Sequence, residues 1–143
     1  MRELATFGVC AALLAGCGGS ETGIDAKDGT NPAPTGDPVA EISPTEIVWD
    51  AAPVGYSVSE TLSITNTGDG VLELYEISLL NDTTDTFVFD NVANVELDPG
   101  LGDSWEVTCD LEQDSPATAS LRIRTNDPKK IEVTVPLTCN PAE

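Results

Sequence analysis

Apolar and polar residues alternate most strictly between Ala119 and Cys139. The apolar positions share one parity and comprise Leu121, Ile123, Ile131, Val133, Val135, Leu137 and Cys139. The turn-forming residues 126–130 (Asn-Asp-Pro-Lys-Lys) interrupt the alternation. Alternation on both sides of such a turn is typical of a β-hairpin with one buried face. The pattern therefore predicts two antiparallel strands whose apolar face needs a second sheet to cover it.

Shorter alternating runs precede this hairpin and are separated by clusters of turn-forming residues. Their apolar positions are Val58, Leu62 and Ile64; Leu72 and Leu74; Tyr75, Ile77 and Leu79; Phe87 and Phe89; Val95 and Leu97; and Trp105, Val107 and Cys109. The change of parity between Leu74 and Tyr75 predicts a β-bulge. Pro44 within the run 42–49 suits a strand at a sheet edge. About seven short strands without a helical period predict an all-β, two-sheet sandwich over residues 41–143.

Four short blocks resemble a known family when they are read in order. They are Ile42-Ser43-Pro44, Ser63-Ile64-Thr65-Asn66-Thr67-Gly68, Leu97-Asp98-Pro99-Gly100 and Leu121-Arg122-Ile123-Arg124-Thr125-Asn126-Asp127-Pro128. The series is similar to immunoglobulin-like domains of the Hydin and major-sperm-protein type, including the bacterial choice-of-anchor D domains, over about residues 42–139. The resemblance implies an immunoglobulin-like domain that binds or scaffolds. It implies no reaction, since the family carries no catalytic motif.

The N-terminus has the features of an export signal. Leu4–Ala15 is an apolar run that is too short to cross a hydrocarbon core, which takes about 20 residues in a helix, so it fits a secretory signal. The sequence Leu14-Ala15-Gly16-Cys17 resembles the lipobox of bacterial lipoproteins. That resemblance implies removal of residues 1–16 and acylation of the Cys17 thiol, and several acyl chains give lasting membrane attachment. An ordinary signal peptide with an incidental cysteine is the alternative.

Residues 17–40 predict a tether between the lipid and the sandwich. The segment is rich in glycine, proline and polar residues, and residues 18–38 contain one large apolar residue, Ile24. Such a composition favours a disordered linker, whose extended length of about 3.1 Å per residue would hold the domain up to about 60–70 Å from the membrane. In enterobacterial lipoproteins an aspartate after the lipidated cysteine directs retention in the inner membrane, so Gly18 favours the outer membrane.

The charge of the chain narrows the choice of partners. It carries 25 acidic and 6 basic residues, with a formal net charge of −19. Such a chain repels the phosphate backbone, so nucleic acid is not an expected partner. A solubilising surface explains the acidity, and a calcium-binding surface is the alternative.

Two cysteines remain when Cys10 in the signal and Cys17 at the lipidation site are set aside. The predicted strand that ends at Cys109 is followed by an antiparallel return and then by the strand that ends at Cys139. Both cysteines therefore lie at the same end of the sandwich with inward parity. In an exported protein this arrangement predicts a disulfide between the two sheets. A free buried pair and intermolecular pairing are the alternatives.

The sequence offers no catalytic constellation. It contains no histidine, which excludes a Ser-His-Asp triad and imidazole metal ligands. It also has no P-loop and no G-x-S-x-G motif, so we expect neither an enzyme nor a bound cofactor. Calcium is the one metal ion that the sequence does not exclude. Its candidate ligands are oxygen donors in predicted turns: Asn66, Asp69, Asn81, Asp82 and Asp85. None of these residues matches the EF-hand spacing, and Asx turns account for them without a metal.

Basic residues after Lys27 are confined to the 119–139 hairpin and comprise Arg122, Arg124, Lys129 and Lys130. Glu132 is expected opposite one of the two arginines. One interpretation is local charge balance and protection of a sheet edge, to which Pro136 would contribute. The other interpretation is a contact surface for an acidic partner.

These features predict a non-enzymatic, lipid-anchored domain of the bacterial cell envelope that binds or scaffolds an unidentified envelope or surface protein. A calcium-dependent adhesive or carbohydrate-binding module is the alternative. A purely structural envelope component is a third hypothesis.

Overall fold

The computed structural model describes residues 33–143, which form nine β-strands and no helix. The strands are β1 (Ala40–Ser43), β2 (Ile47–Ala52), β3 (Ser57–Asn66), β4 (Leu72–Leu80), β5 (Phe87–Val88), β6 (Val92–Leu97), β7 (Gly102–Asp110), β8 (Ala117–Thr125) and β9 (Glu132–Pro141). No helix capable of crossing a membrane is found in this part of the chain. The predicted signal peptide, Cys17 and residues 17–32 of the predicted tether lie outside the described residues.

Two sheets face each other. Sheet I has the strand order β1-β3-β7-β5, and sheet II has the order β2-β9-β8-β4-β6. All pairs are antiparallel except β2 and β9, which are parallel. The predicted hairpin is confirmed as β8–β9, and its register places Leu121 opposite Val135 and Ile123 opposite Val133.

The strand count exceeds the predicted seven because the run 42–49 divides around Pro44. Its first half forms β1 in sheet I, and its second half crosses to sheet II as β2. The two-residue strand β5 is also a separate element. Dividing one run between both sheets joins them at their lateral edge.

Alternating side chains from both sheets fill one core. The largest fully buried apolar side chains are Leu62, Ile64, Leu72, Leu74, Ile77, Val107, Leu111, Leu121, Ile123, Val135 and Leu137. The predicted bulge is confirmed, since the β4–β8 register shifts between Leu74 and Glu76. Tyr75 was predicted to share the face of Ile77, but this was wrong: the bulge turns Tyr75 outward, where it is 46% exposed.

Ile131 was predicted to share the buried face of β9, which was also wrong. It is 64% exposed. The reason is that β9 begins at Glu132, so Ile131 belongs to the turn, where its carbonyl accepts a hydrogen bond from Thr125 N at 3.0 Å. Alternation in the sequence continued one residue beyond the strand.

The sandwich has two distinct ends. The entry end contains the turns 67–71, 98–101 and 126–131 and receives the N-terminal segment, since Ala40 pairs with Asn66. The disulfide end contains the turns 53–56, 81–86 and 111–116 and the C-terminus.

Packing begins before residue 41, the predicted first residue of the domain. Asp37 O accepts hydrogen bonds from Asp69 N at 3.1 Å and Gly70 N at 3.3 Å. A Cβ on Gly70 would overlap the backbone of Gly36, so this close approach of two chain segments requires glycine.

Candidate functional site

The disulfide end is closed by a covalent bridge. Cys109 in sheet I and Cys139 in sheet II are bonded, with a Cα–Cα distance of 6.4 Å, which confirms the prediction. The registers place Phe87 beside Cys109 and Trp49 beside Cys139. The two rings are tilted, with centroids 6.0 Å apart. Apolar side chains therefore surround the bridge at this end, and neither Cys109 nor Cys139 has a free thiol.

Asn66 was a candidate calcium donor, and the structure places it in the interior of the entry end. Its side chain is fully buried. Nδ2 donates to Gly70 O at 2.7 Å and to Leu97 O at 2.8 Å. Oδ1 accepts from Gly68 N at 3.0 Å and from Val39 N at 3.3 Å. The amide already uses two donors and two acceptor sites, so its role here is to join three chain segments.

The turn between β8 and β9 supplies a second polar connection at the entry end. Asp127 is buried; its Oδ2 accepts from Ala40 N at 2.8 Å and its Oδ1 from Lys129 N at 2.7 Å. Lys130 Nζ donates to Ala40 O. Both backbone groups of Ala40, the first residue of β1, are therefore held by this turn.

Asn126 extends the same connection to β4. Its Oδ1 accepts from Glu73 N at 2.8 Å, and its Nδ2 donates to Val71 O at 3.0 Å. The sequence pattern identified Asn126 and Asp127 only as turn-forming residues. Their place in one of the four family-like blocks was the signal that they carry more than a turn.

The remaining calcium candidates do not converge on one place. Asp69 lies at the entry end, whereas Asn81, Asp82 and Asp85 lie in the loop 81–86 at the disulfide end. Within residues 33–143 no group of three or more His, Cys, Asp or Glu side chains is arranged to hold a metal ion. Calcium binding stays a prediction.

Asp82 illustrates what these residues do in the fold. Its Oδ1 accepts from Thr84 N at 3.3 Å and Thr86 N at 3.1 Å, and its Oδ2 accepts from Phe87 N at 2.9 Å. The carboxylate therefore organises the loop that leads into β5. Asn81 and Asp85 have φ angles of 62° and 52°, a conformation that Asn and Asp tolerate better than most residues.

The basic residues of the hairpin are largely engaged within the domain. Arg122 Nη2 donates to both carboxylate oxygens of Glu76 at 3.0 Å. Arg124 lies 3.9 Å from Glu76 and 4.0 Å from Glu132. The expected pairing of Glu132 with an arginine across the strands is thus confirmed, with Arg124 as the partner.

Glu76 lies at the centre of this ion-pair cluster. The neighbouring Ser78 hydroxyl and the Arg122 guanidinium hold the pKa of its carboxyl below the ordinary value, with a smaller contribution from Arg124. Since Lys130 is bound to Ala40, Lys129 is the basic side chain of the hairpin that has no ion pair or hydrogen bond among the described residues. Fewer of the hairpin's basic side chains are therefore free to contact an acidic partner than the sequence suggested.

The outer face of sheet I is rich in hydroxyl groups. It presents Ser57, Ser59, Thr61, Ser63 and Thr65 from β3 and Ser104, Glu106, Thr108 and Asp110 from β7. Ser59 and Thr108 share a hydrogen bond at 2.8 Å, and Ser57 donates to Asp110 at 3.2 Å. No strand of sheet I contains Lys or Arg. This face is polar and anionic.

Comparison with solved structures identifies the architecture. A Porphyromonas gingivalis protein of unknown function matches with a TM-score of 0.60 and 19% identity, covering 72% of this chain and 46% of that one. PapD-like domain 7 of human CEP192 matches with a TM-score of 0.56 and 11% identity, covering 73% and 85%. The fold is immunoglobulin-like. No family model matches the chain, and no curated protein matches it.

A third match comes from a pilus assembly system. The CsuC–CsuE complex of a chaperone with a tip adhesion subunit, from Csu pili of Acinetobacter baumannii, matches with a TM-score of 0.55 and 12% identity, covering 73% of this chain and 52% of that one. At these identities the similarity establishes the immunoglobulin-like fold alone. This chain also spans only about half the length of the Porphyromonas protein and of the chaperone-complex chain.

Proposed function

We propose that this protein is a non-enzymatic, lipid-anchored binding or scaffolding domain of the bacterial cell envelope. Three observations support the proposal: the lipobox-like sequence ending at Cys17, the ordered blocks similar to choice-of-anchor D domains, and the Cys109–Cys139 disulfide. Disulfides persist in oxidising compartments such as the periplasm. Gly18 after the lipidated cysteine favours the outer membrane.

The main structural support for the proposal is the point at which the N-terminal segment enters the sandwich. The N-terminal segment reaches the sandwich at the entry end. There the backbone of Val39 and Ala40 forms hydrogen bonds with the side chains of Asn66, Asp127 and Lys130. A lipid on Cys17 would thus hold the domain by that end. The disulfide end would point away from the membrane, about 30 Å further out along the ten residues of β9. Its loops and the sheet edges would be available to a partner.

Cell fractionation tests the anchor. Wild-type protein is expected in the membrane fraction, and Cys17→Ser is expected in the soluble fraction because it lacks the thiol that receives the lipid. Cys10→Ser is the matched control, since it removes a cysteine from the signal without touching the lipidation site. Sedimentation of Cys17→Ser with membranes would reject the anchor.

Photo-crosslinking in the native cells tests the binding role. A crosslinking amino acid is placed at Glu112 on the disulfide end, Thr118 on the outer face of sheet II or Asp98 on the entry end, all of which are exposed. We expect defined products with an envelope protein, stronger from Glu112 or Thr118 than from Asp98. Background labelling from all three positions would argue for a component without a specific partner.

A further inference from the structure

Unpaired strand edges are the places where a sheet can accept another chain, and several edges of this domain carry features that hinder pairing. β9 pairs with β2 only from Leu137 onward, and Pro136 stands at that point without an N–H group. β6 contains Asn94 with a φ angle of 55°. Glu60 lies on the inward parity of β3, in the half of that strand that β1 does not cover.

The edge of β7 beside β5 is different. β5 pairs only with Cys109 and Thr108, so β7 has no strand on this side from Val107 back to Gly102. This stretch contains no proline and no residue with positive φ. It is therefore geometrically free to pair.

The hydrogen-bonding pattern identifies the available atoms. Asp110 N donates to Thr86 O at 2.7 Å, and since bonded positions alternate in an antiparallel pair, even-numbered residues of β7 point their backbone groups toward the β5 side. Ser104 N is occupied by Asp103 Oδ1 at 2.8 Å. Among residues 33–143 no partner is found for Glu106 N on this side. An added strand could therefore accept a hydrogen bond from Glu106 N and donate hydrogen bonds to Ser104 O and Glu106 O.

A groove of about 180 Å³, the β7 notch, continues the line of β5 past this edge. It is lined by Val88, Phe89, Asp90, Trp105, Glu106 and Thr108. Trp105 and Phe89 are half-buried against the core, and Val88 is 54% exposed. The notch combines free backbone hydrogen-bonding groups with an aromatic wall.

The charge around the notch indicates which kind of chain can bind in it. Asp90 and Glu106 flank the notch, and no strand of sheet I carries a basic residue. A second copy of this chain, with its net charge of −19, would be repelled. A basic segment would be attracted.

We propose that the β7 notch binds an extended cationic peptide segment of a partner protein. The segment pairs with the backbone of β7 at Ser104 and Glu106 and places an apolar side chain against Trp105 and Phe89. In this mode the main-chain hydrogen bonds supply affinity and the alternating side chains supply specificity. The inference deepens the proposed binding function and rests on it.

The test uses the full chain in detergent micelles and the peptide acetyl-KVKVK-amide, with acetyl-EVEVE-amide as the charge control. Binding is followed by NMR through the shifts and hydrogen exchange of the Glu106 amide and the shift of the Trp105 indole. We expect the cationic peptide to protect the Glu106 amide and to bind less tightly as salt is added. The acidic peptide is expected to leave both signals unchanged.

Three variants separate the contributions. Glu106→Pro removes the free N–H and is expected to weaken binding about tenfold. Glu106→Thr keeps the N–H but loses the charge, with an expected loss of about twofold. Thr61→Pro is the matched control, because the Thr61 N–H faces the opposite open edge of sheet I, and unchanged affinity is expected. Urea midpoints check that each variant remains folded.

Equal affinity of Glu106→Pro and wild type would overturn the proposal, as would shifts confined to another edge or no binding of the cationic peptide. A Trp105 shift with maltotriose or chitotriose instead of the peptide would identify a sugar cleft and also overturn it. If crosslinks from Glu112 or Thr118 persist while the notch fails, the binding function stands and only this site is wrong.

Discussion

The two ends of the sandwich are closed by different chemistry. The entry end is joined by buried polar side chains, chiefly Asn66 and Asp127, which hold the backbone of Val39 and Ala40. The disulfide end is joined by the Cys109–Cys139 bridge and packed aromatic rings. Hydrogen bonds of buried amides and carboxylates are directional, so the entry end specifies which segment docks and in which register. The bridge instead restricts the unfolded chain, whatever segment it closes.

This difference matches the proposed roles of the ends. A domain held by its entry end needs its first strand fixed to both sheets, because any load on the tether reaches β1 first. The disulfide end bears no chain entry and can be stabilised through a single bond. Variants that remove the interactions closing one end at a time therefore test the comparison.

Asn66→Leu is expected to be the most damaging change. It leaves Gly70 O, Leu97 O and two backbone N–H groups without their partner in a buried site, at a cost of about 4 kcal/mol in the free energy of unfolding. Urea denaturation measures the loss. Asn91→Leu is the control, because Asn91 is exposed and makes one bond of 3.3 Å, and should cost about 0.5 kcal/mol or less. Similar losses in both variants would contradict the structural role of Asn66.

The double variant Cys109→Ala/Cys139→Ala breaks the other end. The loop it opens has a sequence separation of 30, for which the chain-entropy model predicts a loss of about 3.5 kcal/mol in unfolding free energy. Denaturation with and without reductant gives the value. Thiol titration of wild type, unfolded without reductant, should find neither Cys109 nor Cys139 reactive. Reactive thiols at these positions would contradict the bridge.

Asp127→Asn should loosen the entry end selectively. An amide in place of the carboxylate directs a donor toward Ala40 N or Lys129 N, both of which are themselves donors, and should cost about 2 kcal/mol. Hydrogen-exchange mass spectrometry is expected to show faster exchange in β1, with β7 near Cys109 less affected. Uniform acceleration at both ends would mean that they unfold as one unit.

Acid should weaken a region that belongs to neither end. Because the pKa of Glu76 is lowered in the folded state, its ion pairs with Arg122 and Arg124 stabilise the domain above the ordinary value of 4.5 and are lost as the pH falls through the lowered pKa. Glu76→Gln should melt at a lower temperature than wild type at pH 7 and should show a smaller drop between pH 5 and pH 3. An unchanged pH dependence would exclude Glu76 as its source.

Calcium is expected to have the smallest effect. The Asp82 carboxylate already accepts three backbone hydrogen bonds, so a thermal melt with millimolar calcium should move by about 1 °C or less relative to a melt with chelator. A clear rise that Asp85→Ala abolishes would instead support the calcium-dependent adhesive hypothesis.

Residue parity was sufficient to predict the β8–β9 register, the bulge after Leu74 and the bridge between Cys109 and Cys139. Each depends on which side of a strand a residue faces and on the order of turns, and both are local properties of the chain. Parity did not predict that the run 42–49 divides between two sheets, since that choice depends on which distant strand edge lies alongside. It also placed Ile131 in the core, because a pattern cannot mark the residue at which pairing stops.

Only the tertiary structure decided the roles of the polar residues. Asn66 and Asp127 stand in sequence contexts that are equally typical of exposed turns, and they are buried because Val39 and Ala40, distant in sequence, bring unpaired backbone groups to them. The open edge of β7 arises in the same way, since it depends on where β5 leaves sheet I. Except at Tyr75 and Ile131, the sequence by itself determined which side chains face inward. The meeting of distant segments determined which hydrogen-bonding groups are satisfied and which remain free.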